Sequence, residues 1–188
     1  MVTDIAATLA CSSIQNNDKI GVIFFSDRIE KYIPPKKGRK HILYIIREML
    51  DFHPESLRTD IRQAVEFMTR VMKRRSTVFV ISDFYTPASL QKQWQIASSK
   101  HDLMAIQVCV PLAKELPDVG LIKINDAETG KEMIIDTSSK RLRMAHSKAW
   151  HDRQAMLRDD FAKSNIDWTS VATNEDYVKA MMKLFNRR

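Results

Sequence analysis

Glycine is scarce in this 188-residue chain, with four in all. A phosphate-cradling glycine-rich loop therefore has no place to form, and neither a nucleophile elbow nor an HExxH metal motif occurs. Cysteine is equally sparse. Cys11 and Cys109 lie far apart with no second Cys or His at metal-ligand spacing, so both read as small buried thiols of a reducing compartment. No apolar run approaches the roughly 18 residues of a membrane-spanning helix, since GVIFF and VFVI are each bounded by polar residues. The opening MVTDIAATLACSS lacks the basic flank and long apolar stretch of a secretory signal, and a cytoplasmic setting is expected.

What is present is an ordinary globular balance, 44% hydrophobic and 28% charged. Disorder and low complexity are excluded by that composition. Lys and Arg outnumber Asp and Glu by 30 to 23, a net charge of +7. The cations are spread over short groups: Lys36, Lys37, Arg39 and Lys40; Lys73, Arg74 and Arg75; Lys140, Arg141 and Arg143; Arg187 and Arg188. Most fall at predicted helix ends, where a cation favours the helix dipole or faces water, so solvated ends outweigh a nucleic-acid footprint.

Val2, Ile5, Ala6, Leu9 and Ala10 follow helical spacing and predict an opening helix whose small-residue face suits packing on a sheet. Asn16, Asn17 and Asp18 break it. KIGVIFF, residues 19–25, reads as a buried strand, and Ser26, Asp27 and Arg28 turn into IEKYI, a short antiparallel edge strand stopped by Pro34 and Pro35. Ile42, Ile45, Ile46 and Met49 mark one helix, and Ile61, Ala64, Val65, Met68 and Met72 mark another beginning just after Thr59.

STVFVISDF, residues 76–84, is a near-continuous apolar run and reads as a central parallel strand covered on both faces, with Asp83 at its carboxyl end. Thr86 and Pro87 predict a helix start, continued by Leu90, Trp94 and Ala97. DLMAIQVCV follows as a third buried strand. After Pro111, LIKIN and EMIID flank DAETG as a β-hairpin within residues 117–137. A long helix from Ser139 carries Trp150, Leu157 and Phe161, IDWTSV forms one more strand, and Thr173 with Asp176 makes a near capping box before a final helix. The alternation argues for a single α/β domain over residues 1–188, a doubly wound, mostly parallel sheet with an antiparallel edge strand and the appended hairpin.

His146 and His151 are five apart on a predicted helix and point to different faces, and His41, His53 and His101 have no partners. Thr59 and Asp83 stand out by placement. In open α/β sheets ligands collect outside the carboxyl ends of the strands, and a hydroxyl facing a carboxylate there suits Mg²⁺ or Mn²⁺. Each residue has a plainer role open to it: Thr59 as the cap of a helix beginning at Asp60, and Asp83 as a turn residue. Asp27, on the same rim, reads as a hairpin-turn aspartate.

DKIGVIFFSDRIEKYIPPKKGRKH, RTDIRQAV, STVFVISDFY and HDLMAIQV, in that order, resemble the von Willebrand factor A-like domain. LPDVGLIKINDAETGKEMIIDTSSKR and TNEDYVKAMMKLFNRR are more narrowly similar to the bacterial domain-of-unknown-function family fifty-eight, whose genes often neighbour MoxR-type AAA+ ATPases. The resemblance covers essentially the whole chain. It implies that Thr59 binds a metal through its hydroxyl and Asp83 through water, as part of a metal-ion-dependent adhesion site that leaves one position for a partner's carboxylate.

The family's DxSxS motif, carried on its first strand, is missing, and the chain starts within what would be the first helix, as a truncated or internally started chain would. With half the site absent, Mg²⁺ binding is expected to be weak or lost, and the unpaired sheet edge to favour self-association. The expected function is a non-catalytic protein-interaction module with no catalytic residues, working with a MoxR-type ATPase in protein assembly or maturation. The alternative is a nucleic-acid-binding protein using its basic surface. A metal-assisted hydrolase at Thr59 and Asp83 ranks last, since no positioned base or nucleophile accompanies them.

Overall fold

The computed structural model describes residues 1–86, 88–125 and 132–186. The chain packs as two compact units, Met1–Arg74 and Arg75–Arg188.

In the first unit, α1 (Val2–Gln15) buries Ile5 and Ala10 and ends where Asn17 takes a left-handed φ of 53°. Its main contact is α2 (Arg39–Asp51), not the sheet that its small-residue face suggested. β1 (Ile20–Phe25) and β2 (Ile29–Lys36) form an antiparallel hairpin. Every residue of β1 is half-buried rather than buried, because β2 pairs one edge and no described strand pairs the other. Pro34 and Pro35 do not stop β2, which runs on to Lys36 through a register shift between Ile20 and Val22. Proline is tolerated at such an irregularity because no regular ladder N–H is needed there. Gly21 makes the close crossing possible, since a Cβ would sit 2.6 Å from the Ile33 carbonyl oxygen and 2.8 Å from the Pro35 nitrogen. α3 (Ile61–Val71) buries Ile61, Ala64, Val65 and Met68 and packs on the hairpin.

The second unit is built on a three-stranded parallel sheet, with β4 (Asp102–Cys109) between β3 (Thr77–Ser82) and β7 (Asp167–Ala172). β3 is therefore an edge strand among the described residues, and the role of central strand covered on both faces belongs to β4, buried from Leu103 to Val108. α4 (Gln91–Lys100) starts later than Thr86 suggested. The intervening chain is held as a loop by α6, and Pro87 lies outside the described residues.

A short helix, α5 (Pro111–Lys114), precedes β5 (Leu121–Asn125) and β6 (Glu132–Asp136), which pair antiparallel as expected. The DAETG connection at 126–130 lies outside the described residues, as do Arg187 and Arg188. α6 (Lys140–Lys163) is capped by Ser139, and α7 (Tyr177–Phe185) is capped by Asp176 alone, whose carboxylate accepts the Val178 N–H. Thr173 instead gives its backbone N–H to the Cys109 carbonyl. The architecture is thus mixed α/β, with a parallel sheet and antiparallel strand pairs.

The core of this unit is an aromatic cluster. Phe161, fully buried, lies 5.4 Å from Phe84, 5.5 Å from Trp94 and 5.8 Å from Trp168 between ring centroids. Phe161→Ala removes every one of these contacts and leaves a cavity, and it is expected to destabilise the unit by about 3–5 kcal/mol in urea unfolding followed by tryptophan fluorescence. A loss under ~1 kcal/mol contradicts the packing described.

Candidate functional site

The loop that leaves β3 is fixed by polar contacts on one side and by aromatic packing on the other. Phe84 takes a φ of 54°, a rare conformation for a bulky residue, and stays there because its ring is buried between Trp94 and Phe161. The Asp83 carboxylate accepts the Tyr85 N–H at 3.1 Å and the Ser82 hydroxyl at 3.3 Å through Oδ1. The turn role is therefore present at Asp83, while Oδ2 has no partner among the described residues and the side chain is exposed. Gln107, 2% exposed on β4, donates its side-chain amide to the Asp83 carbonyl at 3.1 Å, and its own Oε1 has no partner.

Beyond Asp83, exposed Tyr85 lies beneath the Arg153 guanidinium, 4.7 Å from the ring centroid. Buried Asp160 on α6 accepts the Ser89 hydroxyl at 2.6 Å and the Leu90 N–H at 2.9 Å. A cavity of about 10 Å³ between this loop and α6, bordered by Phe84, Arg153 and Asp160, has room for a single water.

Thr59 belongs to the first unit and Asp83 to the second. The capping role open to Thr59 falls to Asp60, whose carboxylate accepts the N–H of Arg62 at 3.0 Å and of Gln63 at 3.4 Å. Thr59 is exposed, with no hydrogen bond among the described residues. Its segment is pinned by a residue that sequence reasoning passed over. Glu30 of β2, its side chain 5% exposed, accepts the Ser26 hydroxyl at 2.6 Å and the N–H groups of Glu55 and Ser56 at 3.2 and 3.3 Å. The Asp60 N–H adds a bond to the Ser26 carbonyl at 2.9 Å. Asp27 fills the turn role expected of it, accepting the Ser26 hydroxyl at 3.3 Å. The available signal for Glu30 was an acid inside an alternating strand, four residues after a turn serine.

The hydroxyl of Thr59 and the carboxylate of Asp83 are hard oxygen donors of the kind Mg²⁺ or Mn²⁺ takes. They fit such an ion in kind but fall short in number. Among the described residues no three His, Cys, Asp or Glu side chains are grouped to hold a metal, so an ion at either residue keeps most of its water shell.

The DTSS segment works as a clasp at the base of the hairpin. Fully buried Thr137 donates its hydroxyl to the Gly120 carbonyl at 2.6 Å and accepts the Val119 N–H, Asp136 accepts the Ser138 hydroxyl, and Ser139 caps α6. His41, thought partnerless, donates to the Ile20 carbonyl at 3.0 Å, and His53 to that of Asp51 at 2.8 Å. Both ring nitrogens of buried His101 lack partners, and burial holds its pKa below the ordinary value. Cys11 is exposed and Cys109 half-buried, so the expectation of two buried thiols fails. Cys11 sits on α1 beyond the face formed by Ile5 and Ala10.

The family model described as "Protein of unknown function DUF58" matches residues 1–156. The uncharacterized protein MAV169 of Mycobacterium avium is 32% identical over 136 residues, 70% of each chain. The uncharacterized protein Rv1480 of Mycobacterium tuberculosis is 27% identical over 163 residues, 85% of this chain and 46% of the relative. The chain thus spans about half the length of that relative. Among solved structures, the conserved hypothetical protein BatB of Bacteroides thetaiotaomicron superposes with a TM-score of 0.61 at 15% identity, over 98% of this chain and 87% of the other. An aerotolerance-related membrane protein of Bacteroides fragilis gives 0.60 at 17% identity, over 99% and 89%. Both likenesses are of fold.

The anchor at Glu30 sets a pH dependence. The Ser26 hydroxyl holds its carboxyl below the ordinary value of 4.5, with the Ser56 and Glu55 N–H groups and the Arg28 guanidinium acting the same way against the opposing effect of burial. A lowered folded pKa gives stability that is fully present above the ordinary value and is lost as pH falls through the folded one. Thermal unfolding is expected to show this loss below about pH 4.5 in the unaltered chain. Glu30→Gln is expected to be less stable at neutral pH and to lose less on acidification. Parallel pH profiles for the two would remove Glu30 from this role.

Proposed function

The chain belongs to the DUF58 family, and on that premise we propose that it is a non-catalytic protein-interaction module that receives a partner on the loop following β3. The observation that carries this reading is the way Asp83 and Tyr85 are presented: exposed side chains on a backbone tied from beneath by Gln107, Asp160 and the buried Phe84 ring. A fixed loop with an exposed carboxylate, an aromatic ring and a stacked guanidinium offers the rigid, low-entropy contacts that interfaces favour.

In its finer form the reading takes the partner to be a MoxR-type AAA+ ATPase or one of its clients, in the assembly or maturation of other proteins. The resemblance to von Willebrand A domains supplies that idea. It adds a divalent ion held by the Thr59 hydroxyl and, through water, by the Asp83 carboxylate, with the open position taken by a partner's acidic side chain. Such an ion supplies a positive centre, and the chain's own contribution is to keep the Asp83 backbone still.

Calorimetric titration of Mg²⁺ and Mn²⁺ into the chain tests the ion, with Asp83→Ala and Thr59→Ala as comparisons. Heat of binding lost in both variants supports the metal-dependent form, and no binding in any of them removes the ion from the mechanism. Capture of a purified MoxR-type ATPase tests the module itself. Asp83→Ala and Tyr85→Ala are each expected to weaken capture about tenfold or more if this loop is the contact, and capture unaffected by both would place the partner elsewhere.

A further inference from the structure

The first unit carries a second surface, unrelated to the loop after β3. Lys36, Lys37, Arg39 and Lys40 occupy four of five consecutive positions, bent around Gly38 at a φ of 104°. All four are exposed, and none makes an ion pair among the described residues. Residues 1–74 hold 13 Lys and Arg against 9 Asp and Glu, so the unit's excess of four positive charges equals this cluster. Among the unit's other cations, Lys31 is paired to Glu48, Arg28 to Glu55, and Arg47 on α2 to Asp51.

The cluster runs directly into α2, and there the chemistry changes in a specific way. Ile42 and Ile45 point into the core and are buried. On the outward side, Arg39, Leu43, Arg47 and Leu50 follow the spacing i, i+4, i+8 and i+11, with Lys40 and Tyr44 beside them. Leu43 is 55% exposed, Leu50 69% and Tyr44 45%. The outward arc of α2 therefore interleaves leucines and a tyrosine with Arg39 and Lys40, unpaired among the described residues, and with Arg47, which is paired to Asp51, where a purely charged, solvated face is the ordinary solution.

We propose that residues 36–40, where β2 turns into α2, and the outward arc of α2 form a docking surface for an anionic membrane. Lys and Arg near a bilayer are attracted by acidic headgroups, and their long stems let the charge stay at headgroup level while neighbouring apolar groups sink deeper. Leucines reach the acyl boundary from such a helix, and tyrosine sits at the interface with its hydroxyl in the polar layer. The phosphates of a nucleic acid satisfy the four cations equally well but give Leu43 and Leu50 nothing to bury against. The apolar members of the arc therefore decide for the membrane. No described helix is long and apolar enough to cross a bilayer, so the contact is peripheral.

Co-sedimentation of the full chain with phosphatidylcholine vesicles, with and without phosphatidylglycerol, tests the proposal. Binding is expected only with phosphatidylglycerol and is expected to weaken steeply with added salt. Because the altered residues are exposed, Lys36→Ser, Lys37→Ser, Arg39→Ser and Lys40→Ser combined, and Leu43→Ser with Leu50→Ser, should leave the fold intact, which circular dichroism verifies. Loss of the cations is expected to weaken partitioning about fivefold for each one removed. The leucine pair should weaken vesicle binding while leaving any retention of duplex DNA unchanged. No binding to acidic vesicles, or binding that survives loss of the four cations, overturns the proposal. Vesicle binding indifferent to the leucine pair, with DNA bound as tightly, overturns it in favour of a polyanion site.

Discussion

β4 is buried from Leu103 to Val108, so each N–H and C=O there needs a partner in a neighbouring strand. The second unit is arranged around that demand. β3 pairs residues 77–82 with 102–107, and β7 pairs residues 167–172 with 104–109, so the two flanking strands are offset by two positions along the strand they share. The offset lines up Ser82, Gln107 and Ser170 as one row across the sheet near its carboxyl end. In-register residues of parallel strands share a face, which makes this row polar beside a central strand whose other buried residues are Leu103, Met104, Ala105, Ile106 and Val108.

A polar side chain in such a row must find a hydrogen bond, because leaving a buried one unmade costs about 1–3 kcal/mol. Gln107 finds it in the Asp83 carbonyl, and by doing so ties the central strand to the loop. Asp160 ties the same loop to α6, and in the other unit Glu30 ties the segment before α3 to the β1–β2 hairpin. The same device recurs: a buried polar group on a regular element reaches out to backbone donors or acceptors of a loop. Moving any of these loops strands the buried group, which gives exposed residues such as Asp83, Tyr85 and Thr59 a backbone steadier than their exposure suggests.

Pattern made these elements legible: α3 and α6 each bury one face, with Ile61, Ala64, Val65 and Met68 on the first and Leu157 and Phe161 on the second, and β4 shows as an unbroken run of six buried residues covered on both faces. It failed where pairing partners decide. An apolar run such as TVFVIS looks the same at the edge of a sheet as at its centre, and only the absence of a described neighbour on its outer side makes β3 half-buried. Helix starts were misread at Thr59, Thr86 and Thr173 because a hydroxyl offers a cap but does not compel one. Asp60 and Asp176 take the role at two of these starts, and tertiary bonds from Asp160 delay the third. The anchors Gln107 and Asp160, and the reach of Glu30 to Glu55 and Ser56, were invisible for a related reason. Each acts over 24 to 71 positions of sequence, beyond the reach of any local pattern.

Exposure also bears on what the loop after β3 does. A carboxylate standing in water is screened and gives little to a complex until the arriving partner excludes solvent from it. Asp83 has a neighbour suited to that exclusion, because, two residues on, the exposed Tyr85 ring and the Arg153 guanidinium stacked on it form a plate. A partner that covers the plate leaves the carboxylate in a medium of lower dielectric constant, where pairing with a cation or a bridging ion strengthens. The order of effects matters: area burial at Tyr85 comes first and the electrostatic gain at Asp83 depends on it. For a partner docked on this loop, as proposed, the strength of the carboxylate's contact is therefore set by how completely the Tyr85 ring is covered.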